Sequence, residues 1–316
     1  MSVFFKHNFT ICKFKSSDSN WVILSSIKQR IKEKVEKKGI PLAKWDIQIR
    51  YGLKTGCNEA FIISTKKRNE ILNNCLTTNE KNITAELIRP ILRGKDISTY
   101  SINWANLWLI NIPSGYTKIL MSELVEVKTP EQFMKDNFYG IWKNFIEYIN
   151  FEKSKINKKG KGINKRDDQG NYWWELRSCS YLDDFAKPKI IYPNMTKFLP
   201  FVLDDKEYYT NQKCFIITGN NLGFITAFLN SSIFKFCYRD SFPELQGGTR
   251  ELSKVFFQKI PIISITPLVE MHFEKLVKDI QFIYSVDKAI AIDKAIFKIY
   301  DLTEDEQNHI GFVKIL

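Results

Sequence analysis

The sequence predicts an α+β fold in which a mixed sheet is followed by a C-terminal helical hairpin or spacer. Short apolar runs, rich in β-branched and aromatic residues, recur through the middle of the chain and predict strands. Helical patterns interrupt these runs at irregular intervals, which argues against a doubly wound parallel sheet. Amphipathic helical patterns also flank the region on both sides.

The first amphipathic pattern predicts a helix from Trp21 to Lys38, because apolar residues recur at every fourth position between charged ones. Gly39 and then Pro41 end it. The apolar stripe must pack either on the domain that follows or on one that precedes it. The stripe consists of Ile23, Ile27, Ile31 and Val35.

Short apolar segments predict the strands of the sheet. A helix is predicted after them, from Asn220 to Arg239, because Phe224, Phe228 and Ile233 fall on one side. The predicted strands are Asp46–Tyr51, Ala60–Ile63, Leu107–Ile112, Lys189–Pro193, Phe201–Asp204 and Cys214–Thr218.

The C-terminal region shows helical patterns again. Thr266 and Pro267 are typical of an N-cap and a first helical residue. From Ala289 to Ile299 apolar residues alternate at the spacing of paired helices, and a capping box starts at Thr303. We therefore expect an N-terminal segment with a connector helix over residues 1–40, a main domain over 41–263 and a helical region over 264–316.

The net charge of +12 and the isoelectric point near 9.2 favour a polyanionic partner, most often nucleic acid. Solvated lysine-rich faces without a partner are the alternative. Basic residues are most concentrated from Lys153 to Arg166, where seven of fourteen residues are basic and none is acidic. This segment predicts either a surface loop that follows DNA phosphates or a solvated insertion without a role.

Cysteine usage and hydropathy indicate the compartment. The six cysteines include no CxxC pair, which suits a reducing cytoplasm. The N-terminus lacks the pattern of a signal peptide, and no run approaches the ~20 apolar residues of a membrane span. We therefore expect a cytoplasmic protein without a membrane partner.

Sequence motifs for catalysis are not found in the chain. It contains no GxxxxGK[ST] loop, no GxGxxG loop and no Pro-Pro dipeptide of the kind that adenine methyltransferases use to hold a flipped base. The acidic pairs Asp183-Asp184 and Asp204-Asp205 lack the spacing of a metal-dependent nuclease. We therefore predict no catalytic residue, no metal ligand and no cofactor in this chain. A nuclease or methyltransferase with unrecognised motifs is the alternative.

Basic turns provide the first candidate DNA contacts. Lys54 and Thr55 lie between two glycines, which let a backbone approach DNA closely; a plain β-turn is the alternative. Arg93 and Lys95 form a second basic turn, in which we expect Asp96 to be a structural cap.

A tryptophan-rich segment follows the basic run. If it is a strand, at most one of Trp173 and Trp174 lies in the core, and the other can contact sugar or a thymine methyl. Arg177 either reads guanine or pairs with Glu175.

A polar glycine turn carries the last candidates. Gln246, Thr249 and Arg250 suit a loop that faces a DNA groove; the alternative is a helix N-terminus capped by Thr249. The complete set of predicted DNA contacts is Lys54, Thr55, Arg93, Lys95, Lys158, Lys159, Lys161, Lys165, Arg166, Trp173, Arg177, Gln246, Thr249 and Arg250.

The order of these segments resembles the TaqI-like C-terminal specificity domain of type IIG restriction-modification enzymes and adenine-specific DNA methyltransferases. The resemblance covers roughly residues 20 to 305. The matching strings are WDIQIRYGLKTGCNEAFII, IRPILRGKDISTY, WWELRSCSYLDDFAKPKIIYPNM, TNQKCFIITG, FLNSSIFKFCYR, GGTREL, KIPI and the closing YDLTEDE.

The resemblance implies a target-recognition domain that grips double-stranded DNA opposite a methyltransferase domain, which flips an adenine and methylates it. S-adenosylmethionine and magnesium are then expected only on catalytic parts outside this chain. We expect the chain to be a shortened gene product or a separate subunit that awaits a methyltransferase or endonuclease partner. A degenerate remnant that binds only protein is a further alternative.

Overall fold

A four-stranded antiparallel sheet lies between two hydrophobic cores in the described part of the chain. The computed structural model describes residues 25–123, 129–149 and 162–312. Its strands are β1 Gly39–Pro41, β2 Ile47–Tyr51, β3 Ile62–Ser64, β4 Ile88–Leu92, β5 Ile97–Ser98, β6 Ser101–Ile102, β7 Leu107–Ile110, β8 Lys189–Pro193, β9 Met195–Thr196, β10 Val202–Asp204, β11 Tyr209–Thr210, β12 Cys214–Gly219, β13 Arg250–Glu251 and β14 Pro261–Ile263. Its α-helices are α1 Ser26–Lys38, α2 Asn58–Phe61, α3 Thr65–Asn74, α4 Thr78–Leu87, α5 Tyr116–Ser122, α6 Pro130–Asn137, α7 Tyr139–Ile146, α8 Leu222–Asn230, α9 Ser232–Tyr238, α10 Lys254–Phe257, α11 Pro267–Phe282, α12 Val286–Ile299 and α13 Glu304–Ile310.

The central sheet has the order β10–β8–β12–β2, and neighbouring strands are antiparallel. Its side chains alternate between the two cores, because successive residues of a strand point to opposite faces. Ile190 and Tyr192 enter the first core, whereas Ile191 and Ile216 enter the second. Both faces are therefore covered, which explains why β8 is buried along its whole length.

The first core brings the first helix and the C-terminal helices onto one face of this sheet. Helix α1 contributes Ile31 and Val35, and α11 packs against α8. Strand β1 pairs with β14 in an antiparallel ladder. Glu306 accepts hydrogen bonds from Arg30 and Lys34, which fastens α13 to α1. The segments expected to precede and follow the main domain thus share its core.

The second core lies between the other face of the central sheet and a smaller mixed sheet. The smaller sheet has the order β11–β4–β7–β3, with β11 parallel to β4 and the other pairs antiparallel. Helix α3 packs against α7 over this core. Phe61, Phe145 and Trp174 are fully buried within it.

The expected α+β fold, with mixed sheets and a helical C-terminal region, is confirmed. Two local predictions are wrong. The segment Ala60–Ile63 begins as helix α2, and only its last residues belong to β3. The helix expected from Asn220 to Arg239 is broken at Ser231, whose backbone is extended and whose hydroxyl accepts a hydrogen bond from Phe234 N–H at the start of α9.

A buried ion pair joins β8 to β10. Lys189 Nζ lies 2.7 Å from the Asp204 carboxylate, and neither side chain is exposed. Lys189 also donates to Phe185 O at 2.7 Å, while Asp204 accepts the N–H groups of Lys206 and Tyr208 at 3.0 Å each. Burial lowers the pKa of Lys189, and the charge of Asp204 opposes this effect. The pair therefore fixes two loops at the end of the sheet where β8 begins.

Candidate nucleic-acid interface

Several loops meet at the other end of the central sheet, where β2 and β8 finish and β12 begins. Leu53 N–H donates to Thr210 O at 2.7 Å, and Asn194 N–H donates to Lys213 O at 2.9 Å. We call this surface the loop end. It consists of residues 52–56, 93–96, 165–177, 194–199, 211–213 and 243–251.

Gly52 shows why the first basic turn has its shape. A Cβ at this position would lie 2.0 Å from Asn211 O, so only glycine allows the two segments to approach. The close approach that Gly52 allows is therefore one to the protein's own backbone at Asn211.

Lys54 and Arg177 lie on either side of Asp168 at the loop end. The Asp168 carboxylate is 2.9 Å from Lys54 Nζ and 3.3 Å from Arg177 Nη1. The two cationic side chains are 52% and 56% exposed, whereas Asp168 is only 17% exposed. Arg177 therefore pairs with Asp168 and not with Glu175, whose buried carboxylate accepts backbone N–H groups at the start of α5.

Thr55 and Arg166 lie inside the protein, which corrects their predicted role as DNA contacts. Thr55 is fully buried, and its hydroxyl donates to Asn58 Oδ1 at 2.8 Å. Arg166 is 2% exposed and donates to the carbonyl oxygens of Thr55, Trp173 and Glu175. Burial lowers the pKa of Arg166 to about 10, so the guanidinium is still charged at neutral pH. Both residues hold the loop end together from within.

The turn that carries Arg93 and Lys95 is built on Asp96. The Asp96 carboxylate accepts from Arg93 Nε at 3.0 Å, from Arg93 Nη2 at 2.8 Å and from Arg93 N–H at 2.8 Å. Asp96 therefore has the structural role that was expected of it. Its carboxylate occupies one edge of the Arg93 guanidinium. Lys95 is exposed beside it.

The polar glycine turn is the tip of a small β-hairpin and not a helix N-terminus. Leu245 N–H donates to Thr249 O at 2.7 Å, and Gln246 is exposed at the tip. Thr249 donates its hydroxyl to Gln246 O at 3.0 Å. Gly247 and Gly248 have φ of 74° and 76°, which favour glycine.

Arg250 stabilises this hairpin through contacts with residues 240–244. Its guanidinium lies 2.8 Å from the Glu244 carboxylate and 3.4 Å from the Asp240 carboxylate, and it donates to Phe242 O at 3.1 Å. Its side chain is 13% exposed. In this conformation Gln246 reaches solvent freely, whereas Arg250 is engaged within the protein.

Trp173 lies on a turn and not on a strand. It is half-buried, and its ring lies 5.6 Å from the ring of Trp142, whereas Trp174 is fully buried. At most one of the adjacent tryptophans lies in the core, as expected. The segment is a turn, however, and not the strand on which that expectation was based. Lys165 is exposed, and the predicted contacts Lys158, Lys159 and Lys161 lie outside the described residues.

The loop end also contains residues that the sequence did not single out. Lys197 and Lys213 are exposed, and Phe198 is 59% exposed. Met195 and Tyr51 are half-exposed nearby. The string PNMTKFLP contained a signal for Lys197 and Phe198. Both residues lie between two prolines, which commonly flank surface turns.

The described residues contain neither a cluster of metal ligands nor a helix that could span a membrane. Within residues 25–123, 129–149 and 162–312, no group of three or more His, Cys, Asp or Glu side chains could hold a metal ion. In the same ranges, no helix is long and apolar enough to cross a membrane.

A mixed fold that gathers basic turns and exposed aromatic side chains at one end of a sheet has the surface of a nucleic-acid-binding domain. The model of the TaqI-like C-terminal specificity domain matches residues 89–262, more than half of the chain, so the chain belongs to this family. This range includes the turns at Arg93, Arg177 and Gln246, whereas Lys54 precedes it.

Two solved structures resemble the fold. The type IIL restriction-modification enzyme MmeI, in complex with DNA, is 11% identical with a TM-score of 0.52, over 85% of this chain and 35% of that one. The type IIG restriction endonuclease BpuSI is 14% identical with a TM-score of 0.49, over 88% of this chain and 33% of that one. The chain thus spans about a third of the length of these enzymes. A search of curated proteins gives no match.

Proposed function

We propose that this chain recognises a specific sequence of double-stranded DNA as the specificity domain of a type II, IIG-like restriction-modification system. The observation that supports this most strongly is the meeting of Lys54, Lys95, Arg177 and Gln246 at the loop end of a fold that belongs to the TaqI-like specificity family. Cations attract phosphates of any sequence, while an amide such as that of Gln246 can read base edges.

We further propose that recognition directs adenine methylation, cleavage or both by a methyltransferase or endonuclease domain or subunit. S-adenosylmethionine and magnesium belong to those catalytic parts in this proposal. The chain's own part is to position the target duplex, and it spans about a third of the length of the two restriction enzymes reported above.

Within the chain, the proposed DNA contacts at the loop end are of two kinds. Phosphate contacts come from exposed cations: Lys54, Lys95, Lys165, Lys197, Lys213 and the outer face of Arg177. Contacts to bases come from Gln246 at the hairpin tip and the free edge of Arg93, with Phe198 as an apolar contact.

The test is selection from a randomised duplex pool with the full chain at physiological salt, where non-specific binding is weak, about 10⁻⁴–10⁻⁶ M. We expect one enriched, asymmetric motif. Incubation of plasmid carrying that motif with magnesium and S-adenosylmethionine tests the alternative of catalysis by the chain itself. Recovery of an unenriched pool contradicts self-sufficient recognition.

A matched pair of variants locates the interface. One variant combines Lys54→Gln, Lys95→Gln, Lys197→Gln and Lys213→Gln at the loop end. The other removes the same charge on helices of the first core and combines Lys37→Gln, Lys275→Gln, Lys294→Gln and Lys298→Gln. We expect the first variant to lose affinity for the selected duplex and the second to keep it. Equal losses contradict the placement of the interface at the loop end.

A further inference from the structure

We propose that Asp168 is a positioning residue of the DNA interface, which holds Lys54 and Arg177 in place and limits their attraction for DNA of any sequence. This inference rests on the proposed function and adds an acidic residue to it. Its basis is the geometry of the three side chains, in which one shielded carboxylate contacts two exposed cations.

The position of Asp168 is fixed by its surroundings. Arg166, two residues earlier, is anchored by the carbonyl oxygens of Thr55, Trp173 and Glu175. On the other side, Gly56 packs so closely that an added Cβ would lie 3.0 Å from Asp168 Cβ. The carboxylate is therefore held to the turn that carries Lys54.

Because Asp168 is held in this way, it sets the arrangement of both cations. Lys54 and Arg177 come from segments more than a hundred residues apart, and each bonds a different oxygen of this carboxylate. Without it, two flexible side chains of like charge would repel each other and spread into solvent. With it, they remain together, but the triad carries one positive charge instead of two.

This charge balance predicts a specific effect on DNA binding. Non-specific affinity depends almost entirely on the cations available to phosphates, whereas a specific complex also depends on their placement. Asp168 therefore lowers non-specific affinity more than specific affinity. Asp168 therefore controls the ratio of specific to non-specific DNA affinity.

The test compares the wild-type chain with Asp168→Asn, which keeps the shape of the side chain and removes its charge. We expect non-specific affinity for a random duplex to rise about fivefold, and the slope of log K against log salt to become more negative by about 0.9, as for one additional phosphate contact. The ratio of specific to non-specific affinity should fall by a similar factor. A role in folding alone would not change the salt slope.

Asp205→Asn is the charge-matched control, because Asp205 is exposed beside Asp204, at the opposite end of the central sheet. We expect it to leave both affinities within twofold of the wild type. If Asp168→Asn and Asp205→Asn give the same affinities and slopes, the inference is wrong.

A double-mutant comparison tests whether Asp168 acts through the two cations. In a Lys54→Met, Arg177→Met background, we expect Asp168→Asn to lose most of its effect on non-specific affinity. An undiminished effect would overturn the assignment. If the wild type binds DNA but selects no motif, the proposed function fails, while the non-specific affinities and slopes still decide the role of Asp168.

Discussion

Basic side chains inside the protein differ from those at the loop end in how their charge is balanced. Lys189 and Arg166 are buried, and each is surrounded by acceptors that replace water. Lys54 and Arg177 share one carboxylate and direct the rest of their polar atoms to solvent. A buried charge needs such a complete set of partners, because leaving water costs several kcal/mol.

This difference separates structural cations from those available to DNA. Lys54, Arg166 and Arg177 were all predicted as DNA contacts from the sequence, and Arg166 and Arg177 even lie close together in the chain. The buried cations and those at the loop end differ in the groups that bond them. A cation whose donors are already occupied by buried acceptors cannot approach a phosphate without breaking the core, whereas a half-exposed one can.

Lys189→Met is expected to have the largest effect on folding. It leaves the Asp204 carboxylate buried without its cation, which costs about 4 kcal/mol of unfolding free energy. Urea denaturation measures this loss. Adding Asp204→Leu should recover only part of it, because the Asp204 carboxylate also accepts the N–H groups of Lys206 and Tyr208. A loss below about 1 kcal/mol would show that the pair is not structural.

Arg166→Met should cost about 3 kcal/mol, because it leaves three buried carbonyl oxygens without their charged donor. Lys165→Met is the matched control one residue away, since Lys165 is exposed. We expect that control to stay within about 0.5 kcal/mol of the wild type. Equal denaturation midpoints for the two variants would remove the distinction between buried and exposed cations in this segment.

Glu306 provides an intermediate case, in which half-exposed cations hold a buried acid. Burial opposes its ionisation, but hydrogen bonds from Lys34, Thr303 N–H and Arg30 outweigh burial and lower its pKa from 4.5 to about 2. A carboxyl whose pKa is lower in the folded state stabilises the fold above its unfolded pKa. Its contribution, about 3 kcal/mol, should therefore be full above pH 4.5 and disappear as the pH falls towards 2.

The measurement is unfolding free energy against pH for the wild type and Glu306→Gln. The two curves should be separated at pH 6 and converge as the pH approaches 2. Parallel curves would mean that the hydrogen bonds of Glu306 do not depend on its charge.

Local sequence patterns were enough to predict much of the fold. The strands at Lys189–Pro193 and Cys214–Thr218 and the capping box at Thr303 have signals confined to a few neighbouring residues. The break at Ser231 was missed because the apolar pattern continues across it, although serine is a frequent N-cap. Tertiary packing, which no short window contains, decided the helix at Asn58–Phe61.

The candidate site was less predictable for the same reason. The turns that contain Lys54, Arg93 and Gln246 were visible as glycine-rich polar strings. Their meeting at one end of the sheet depends on strand order, which the sequence did not supply. The burial of Thr55 and Arg166 depends on contacts between segments more than a hundred residues apart, which periodicity cannot reveal.

Lys54→Met should have the smallest effect on folding, and the reverse phenotype of Arg166→Met. Its side chain is half-exposed and leaves Asp168 with Arg177 as a partner, so stability should change by less than about 0.5 kcal/mol. Loss of the Lys54 charge should weaken DNA binding about equally across sequences. It should also make the slope of log K against log salt less negative by about 0.9. Titration of a selected and a random duplex at several salt concentrations measures both effects. A loss confined to the selected duplex would mean that Lys54 contacts a base, and an unchanged slope would place this cation outside the interface.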